Sequence, residues 1–259
     1  MDILGISEAR LFGFLLVLLR VGALFAFAPV FSTSFVPARV RAAAALGVSA
    51  CLGALGLPGE IPVPESLSVL LVLGVQEVLV GALAGYVAQL VFAAARFGGQ
   101  VAGVQMGLGV ASVLAPGMEP EVSVVSHVQF VLAALLFLAV GGEGLLLEGF
   151  ARNLASVPPG QPLVSGSVAG ALVHLTGEVF VLGLKLAAPV VAAVFASQVV
   201  LGVLARSVPQ LNVLLLGFPL QILVGFTVLG LAVGPWGATW LRALSHTFEA
   251  LEGVFSLLG

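Results

Sequence analysis

The chain has 259 residues, of which 60% are hydrophobic and only 8% charged, with a formal net charge of −3 and a mean hydropathy of +1.23. A soluble domain carries roughly 45–50% apolar and about 25% charged residues, so no soluble fold could cover this much apolar surface and an integral membrane protein is expected. The slight acidity and the lack of basic clusters exclude a nucleic-acid-binding surface.

Asp2 and Glu8 stand where the basic region of a cleaved signal would lie, and Arg20 interrupts the apolar stretch behind them, so the start of the chain does not read as a removable leader. Apolar runs follow at residues 11–28, 42–57, 67–95, 122–140, 168–204 and 211–233. Backbone amides in hydrocarbon must be satisfied within their own segment, so these runs read as helices and the fold class as all-α. A straight crossing takes about 20 residues. The run at 42–57 is short for that, and those at 67–95 and 168–204 are too long. Such lengths suit about six hydrophobic helices that tilt, kink or pack against protein. Pro189 and Pro219 lie inside two of the runs, where each removes a hydrogen bond and favours a kink. Cys51, the only cysteine, can form no internal disulfide and reads as a small buried hydrophobe.

Residues 98–117 are of another kind and read GGQVAGVQMGLGVASVLAPG. Gly99, Gly103 and Gly107 recur every fourth residue, which on a helix makes a flat face for close packing. The same glycine density suits an irregular, mobile segment, and irregular backbone at membrane depth survives only when shielded by protein or lining a cavity. A partly irregular, buried segment is the expectation.

Arg39 and Arg41 follow the first run, Arg96 follows the third and Arg206 stands before residue 211, whereas the loops around Glu60 and Glu65 and residues 158–164 carry no Lys or Arg. The positive-inside rule places the arginine turns in the cytoplasm, which gives six passes with both ends outside and leaves Arg152 on the wrong side. Between the last two long runs sits a polar knuckle, Arg206, Pro209, Gln210 and Asn212, which reads as a helix-hairpin turn. In the final stretch, 236–258, Trp240, Leu244, Phe248, Leu251 and Phe255 recur at helical spacing among Arg242, His246, Glu249 and Glu252. That pattern predicts an amphipathic helix lying on the membrane or against a partner.

Enzyme chemistry finds no support. Asp2 is the only aspartate, Lys185 is the only lysine and follows no phosphate-binding loop, and no serine sits in a nucleophile-elbow setting. His127, His174 and His246 stand far apart outside any zinc motif, so no catalytic residue, metal site or cofactor is assigned. Arg20, Glu77, His127, Glu178 and Lys185 do fall inside apolar runs, and each would cost a few kcal/mol facing lipid. They form either an ion relay or a set of inter-helix pairs that fix an assembly; the second is favoured for Arg20, Glu77, Glu178 and Lys185, because a proton pathway would show a denser carboxylate or histidine chain. Seven glutamines, Gln76, Gln89, Gln100, Gln105, Gln129, Gln198 and Gln210, and the small-residue pairs Gly81/Gly85 and Gly166/Gly170 suit helix–helix contact.

Three stretches carry a family resemblance that covers nearly the whole chain. They are RVGALFAFAPVFSTSFVPARVRAAAAL (20–46), QEVLVGALAGYVAQLVFAAARFGGQVAGVQMGLGVAS (76–112), and LGVLARSVPQLNVLLLGFPLQILVGF (201–226) with its Ala-Arg, Pro-Gln-x-Asn and Gly-Phe-Pro elements. Together they resemble the FliR family of flagellar export-gate proteins and its counterpart in virulence type III secretion. Gln221 departs from the pattern, where a lysine is usual. The resemblance implies a single-copy gate subunit in the bacterial inner membrane, within the flagellar basal body. Its partners would be FliP-like and FliQ-like subunits, FlhB-like and FlhA-like export components, and the unfolded secreted proteins that pass through. It implies a FliP-like unit over residues 1–160 and a FliQ-like hairpin with the amphipathic helix over 161–259. It also implies a pore plug, with Met106, Leu108, Val110, Val113 and Leu114 as candidates and Gly99, Gly103, Gly107 and Gly109 as the glycines that let it move, and it puts the 206–212 turn in the cytoplasm. The competing reading is an ion or small-molecule transporter working through Glu77, His127, Glu178 and Lys185; no internal repeat of the kind transporters show is found.

Overall fold

The computed structural model describes residues 7–29, 31–32, 36–56, 59–108, 123–160, 167–207 and 213–256. Seven helices occupy them: α1 Glu8–Phe27, α2 Ala38–Ala54, α3 Leu67–Gln105, α4 Val124–Ala139, α5 Gly142–Ser156, α6 Ser167–Ser207 and α7 Val213–Ser256. No strand occurs among the described residues.

Local chemistry sets the helix ends. The Ser7 hydroxyl accepts from the Arg10 amide at the start of α1, and Glu8 follows in the first turn, where a negative charge meets the positive end of the helix. Pro37 precedes α2. Gly141, at φ 68°, ends α4 in a left-handed conformation and α5 leaves at an angle of 69°.

Four helices, α1, α3, α6 and α7, are long and apolar enough to cross a membrane, and the bent α4–α5 pair would make a fifth. The six-pass expectation counted α2, which has 17 residues and falls short. At 1.5 Å per residue the 39, 41 and 44 residues of α3, α6 and α7 extend about 58, 61 and 66 Å, roughly twice a hydrocarbon layer of about 30 Å.

Three expectations are corrected. The glycine-rich segment is no separate element at its start, because α3 runs on through Gln105, and close packing outweighs the poor helix propensity of Gly98, Gly99 and Gly103. Of the stretch at 236–258, residues 236–256 belong to α7, which continues through Pro235. Its apolar stripe covers the chain itself, since Trp240, Leu244, Leu251 and Val254 are all buried. Cys51 is exposed on α2, most of whose residues face outward.

The chain divides into two units whose boundaries fall inside α3, α6 and α7: residues 1–90, 141–175 and 245–259 form one, and 91–140 with 176–244 the other. In the first, buried residues recur at helical spacing, Val17, Val21 and Leu24 on α1 with Ala28 just past its end, Val80, Ala84 and Val87 on α3, and Leu146, Phe150 and Leu154 on α5. Gly81 and Gly85 bring α3 onto α1. A Cβ at Gly81 would collide with the Arg20 carbonyl, and one at Gly85 would lie 2.6 Å from the Phe27 Cβ. In the second unit, the Phe92 ring meets Phe137 at 5.4 Å and Trp240 at 5.3 Å, both edge-on, and the Arg96 guanidinium stacks 3.9 Å over Phe130.

Adding a methyl at Gly81 should lower stability by about 1–3 kcal/mol through overpacking. Gly230, beside which a Cβ would meet nothing within 4 Å, should accept alanine without loss. Melting of the two variants in the same detergent checks the contrast; equal melting temperatures would contradict the α1–α3 contact.

Candidate functional site

Two constellations stand out, one in each unit. In the first, Arg20 on α1 is 1% exposed and Glu77 on α3 is 2% exposed. Neither charge reaches solvent, so each must be met inside the protein. The Arg20 Nε donates to Glu77 Oε2, and its Nη1 donates to Asn153 Oδ1 at 3.2 Å and to the Val157 carbonyl at 2.8 Å. The other carboxylate oxygen of Glu77 accepts from the Gly160 amide at 2.9 Å. One ion pair therefore joins α1, α3, the end of α5 and the turn that follows it. Sequence reading singled out Arg20 and Glu77 but did not pair them. Asn153 was missed, although its place beside Leu146, Phe150 and Leu154 on one face of α5 is a legible signal.

The second constellation surrounds the C-terminal end of α3. Gly98 faces α6, where a Cβ would sit 2.6 Å from the Gly183 carbonyl oxygen. Gly183 answers it: a Cβ there would lie 2.8 Å from the Ala94 carbonyl. Gly99 and Gly103 face α4 and its first residues, where side chains would collide with the backbone of Ser126 and with the Ser123 hydroxyl. The Ser126 hydroxyl donates to the Arg96 carbonyl at 2.9 Å and ties α4 to α3. At the last turn, Met106 is fully buried against Gly225 of α7. Gly107, at φ 82°, lies against Phe218, whose Cδ1 would be 2.6 Å from an added Cβ. Three helices thus hold the end of α3 through glycine contacts.

Gly99 and Gly103, expected as points of flexibility, are here close-approach positions inside a helix, and only Gly107 takes the left-handed backbone that favours glycine. Of the plug candidates, Met106 packs inward and Leu108 is half-buried, while Val110, Val113, Leu114 and the neighbouring Gly109 lie outside the described residues. Arg206 closes α6, where a positive charge suits the helix C-terminus. Pro209, Gln210 and Asn212 lie outside the described residues. Glu178 is half-buried and has an interaction partner, whereas Lys185 and His127 are exposed. Two of the glutamine contacts join separate elements, both long at 3.5 Å: Gln105 with Gln198, and Gln89 with Ser32. Arg152, which broke the charge rule, is met by Glu148 at 2.8 Å and Glu252 at 3.0 Å. Among the described residues no three His, Cys, Asp or Glu side chains gather as a metal site.

A membrane protein that is all-helical among its described residues, with a buried ion pair and a glycine-clasped helix end, is a packing unit. The sequence pattern of the bacterial export proteins, family 1, matches residues 11–247. The flagellar biosynthetic protein FliR of Escherichia coli (strain K12) is 33% identical over 242 residues, 93% of this chain and 92% of that protein. Those of Bacillus subtilis (strain 168) and Aquifex aeolicus (strain VF5) are each 29% identical, over 250 and 248 residues, with 95% of both chains covered. The chain belongs to this family of bacterial export proteins, the FliR family.

Removing one member of the buried pair, by Arg20→Met or Glu77→Leu, should cost about 3–5 kcal/mol, because the other charge is left unmet. Replacing both with apolar residues, Arg20→Met with Glu77→Leu, should cost less than either single change. Denaturation of the four proteins in detergent checks this, and strictly additive losses would contradict a coupled pair.

Proposed function

We propose that this chain is a structural subunit of the flagellar type III export gate, assembling with FliP-like and FliQ-like subunits around the pore through which unfolded flagellar proteins cross the inner membrane. The observation that carries the reading beyond family membership is the length of the exposed apolar rows. On α6 large apolar side chains are exposed from Val173 to Leu204, and on α3 from Leu67 to Tyr86. The α3 row extends about 28 Å, within the reach of lipid, but the α6 row extends about 46 Å, and lipid about 30 Å thick leaves part of it without cover. Apolar surface that neither lipid nor this chain covers is surface for another protein. Gly170 supports the same reading, since a Cβ there would meet nothing within 4 Å and its small face is open.

Within that assembly residues 1–160 would act as the FliP-like unit, and 161–259 as the FliQ-like hairpin with its amphipathic extension. Residues 106–116 would close the pore, the α3 end serving as the fixed root of the plug and Gly107 as its pivot. The 206–212 turn would face the cytoplasm, on the side where FlhB-like and FlhA-like components deliver cargo. No step here calls for catalysis or a cofactor. The transporter alternative is weakened by the use of Glu77, whose carboxylate is already bound to Arg20 and the Gly160 amide.

Purification from native membranes in mild detergent should yield a large complex with unlike subunits. A lone monomer whose stability rises with a small solute would support the transporter instead. Deleting residues 107–114 should raise leakage of ions and small solutes while the complex still assembles. Lost assembly with unchanged leakage would assign the segment to packing alone.

A further inference from the structure

Lys185 is the only lysine in the chain, and among the described residues no group pairs with it. It stands exposed on α6, about 18 Å along the helix from exposed Val173 and about 28 Å from exposed Leu204. From Phe180 to Val200 every other exposed position of α6 is apolar. An ammonium in such a row is costly against lipid tails and is tolerated where an opposite charge or an acceptor meets it.

Two further features of this face favour a helix as its cover. Ala188, Ala192 and Ala196 are exposed at four-residue spacing, so another helix could approach the backbone closely. Pro189 has no amide hydrogen, which leaves the carbonyl of Lys185, four residues earlier, without its helical hydrogen bond. At one level of the helix, therefore, an unpaired ammonium and a carbonyl oxygen deprived of its usual helical donor stand beside a strip of small side chains. A lipid tail matches neither polar group.

We propose that this face of α6 is the docking site for an apolar helix of a neighbouring gate subunit, one that sets an Asp or Glu carboxylate against the Lys185 ammonium and small residues against Ala188, Ala192 and Ala196. The proposal rests on the gate-subunit reading and adds the place and chemistry of one contact.

The test uses the complex purified from native membranes, with a photoreactive residue in place of Ala192. Irradiation should link that position to a gate subunit, within an apolar helix that contains Asp or Glu. Lys185→Glu should lower recovery of that subunit about tenfold or more, while Lys185→Arg keeps it within about twofold. Changing the linked carboxylate to lysine should restore recovery in the Lys185→Glu background, which separates a charge contact from misfolding. The proposal is overturned if Lys185→Glu leaves the complex intact, if the links run only to lipid or to a second copy of this chain, or if the reversed charge restores nothing. Should the unaltered chain purify alone, the gate-subunit reading itself fails, and this contact with it.

Discussion

A helix twice as long as the hydrocarbon is thick cannot hide its apolar side in lipid alone. α3, α6 and α7 all meet that condition, and the rest of the molecule follows from it. Each must leave the membrane or lie steeply tilted in it, and each needs protein along the remainder. Within the chain that protein comes from short elements: α1 and α4 lie against α3, the Arg20–Glu77 network ties in the end of α5, and α2 packs on α1. Outside it, the exposed rows on α3 and α6 remain.

Two kinds of contact make the internal packing possible. One is polar and singular: Arg20 and Glu77 neutralise each other in a place without water, and Asn153, the Val157 carbonyl and the Gly160 amide complete their hydrogen bonds. A pair of this kind adds little net stability over apolar residues of the same size, but it tolerates one arrangement of its helices and penalises others. The other is the absence of side chains. At Gly81, Gly85, Gly98, Gly99 and Gly183 the backbones approach so closely that a single methyl would collide, and at Gly103 it would meet the Ser123 hydroxyl. The long helices are therefore fixed where glycine permits contact.

Much of this was legible in the sequence, for physical reasons. Hydrocarbon permits only internally bonded backbone, so runs of apolar residues had to be helices. The Gly81/Gly85 spacing gave the α1–α3 face its partner type, and the rarity of charge made Arg20 and Glu77 conspicuous. Other features were hidden. α5 carries Glu143, Glu148, Arg152 and Asn153, so it escaped a reading that followed apolar runs, although Leu146, Phe150 and Leu154 mark its buried side. Arg152 misled the charge rule because two carboxylates meet it. The Gly234–Pro235 step looked like the end of a helix, yet Ala232, Trp236, Trp240 and Leu244 keep their buried spacing across it. Tertiary burial overrode the local break. Glycine spacing alone could not tell a packed helix from a loop at 98–105, because the difference lies in Ser123, Ser126 and Gly183, which are distant in the chain.

The central claim is that part of the apolar surface of α6 is covered by other proteins of the export apparatus. Carbene labelling from a lipid-soluble probe tests it most directly, comparing Phe195, Val199 and Val203 in membranes that hold the whole apparatus with membranes that lack the other gate subunits. These positions should label strongly when the chain stands without its neighbours and should be protected when they are present. Equal labelling in both membranes would show that lipid covers this face in either case, and would contradict the account.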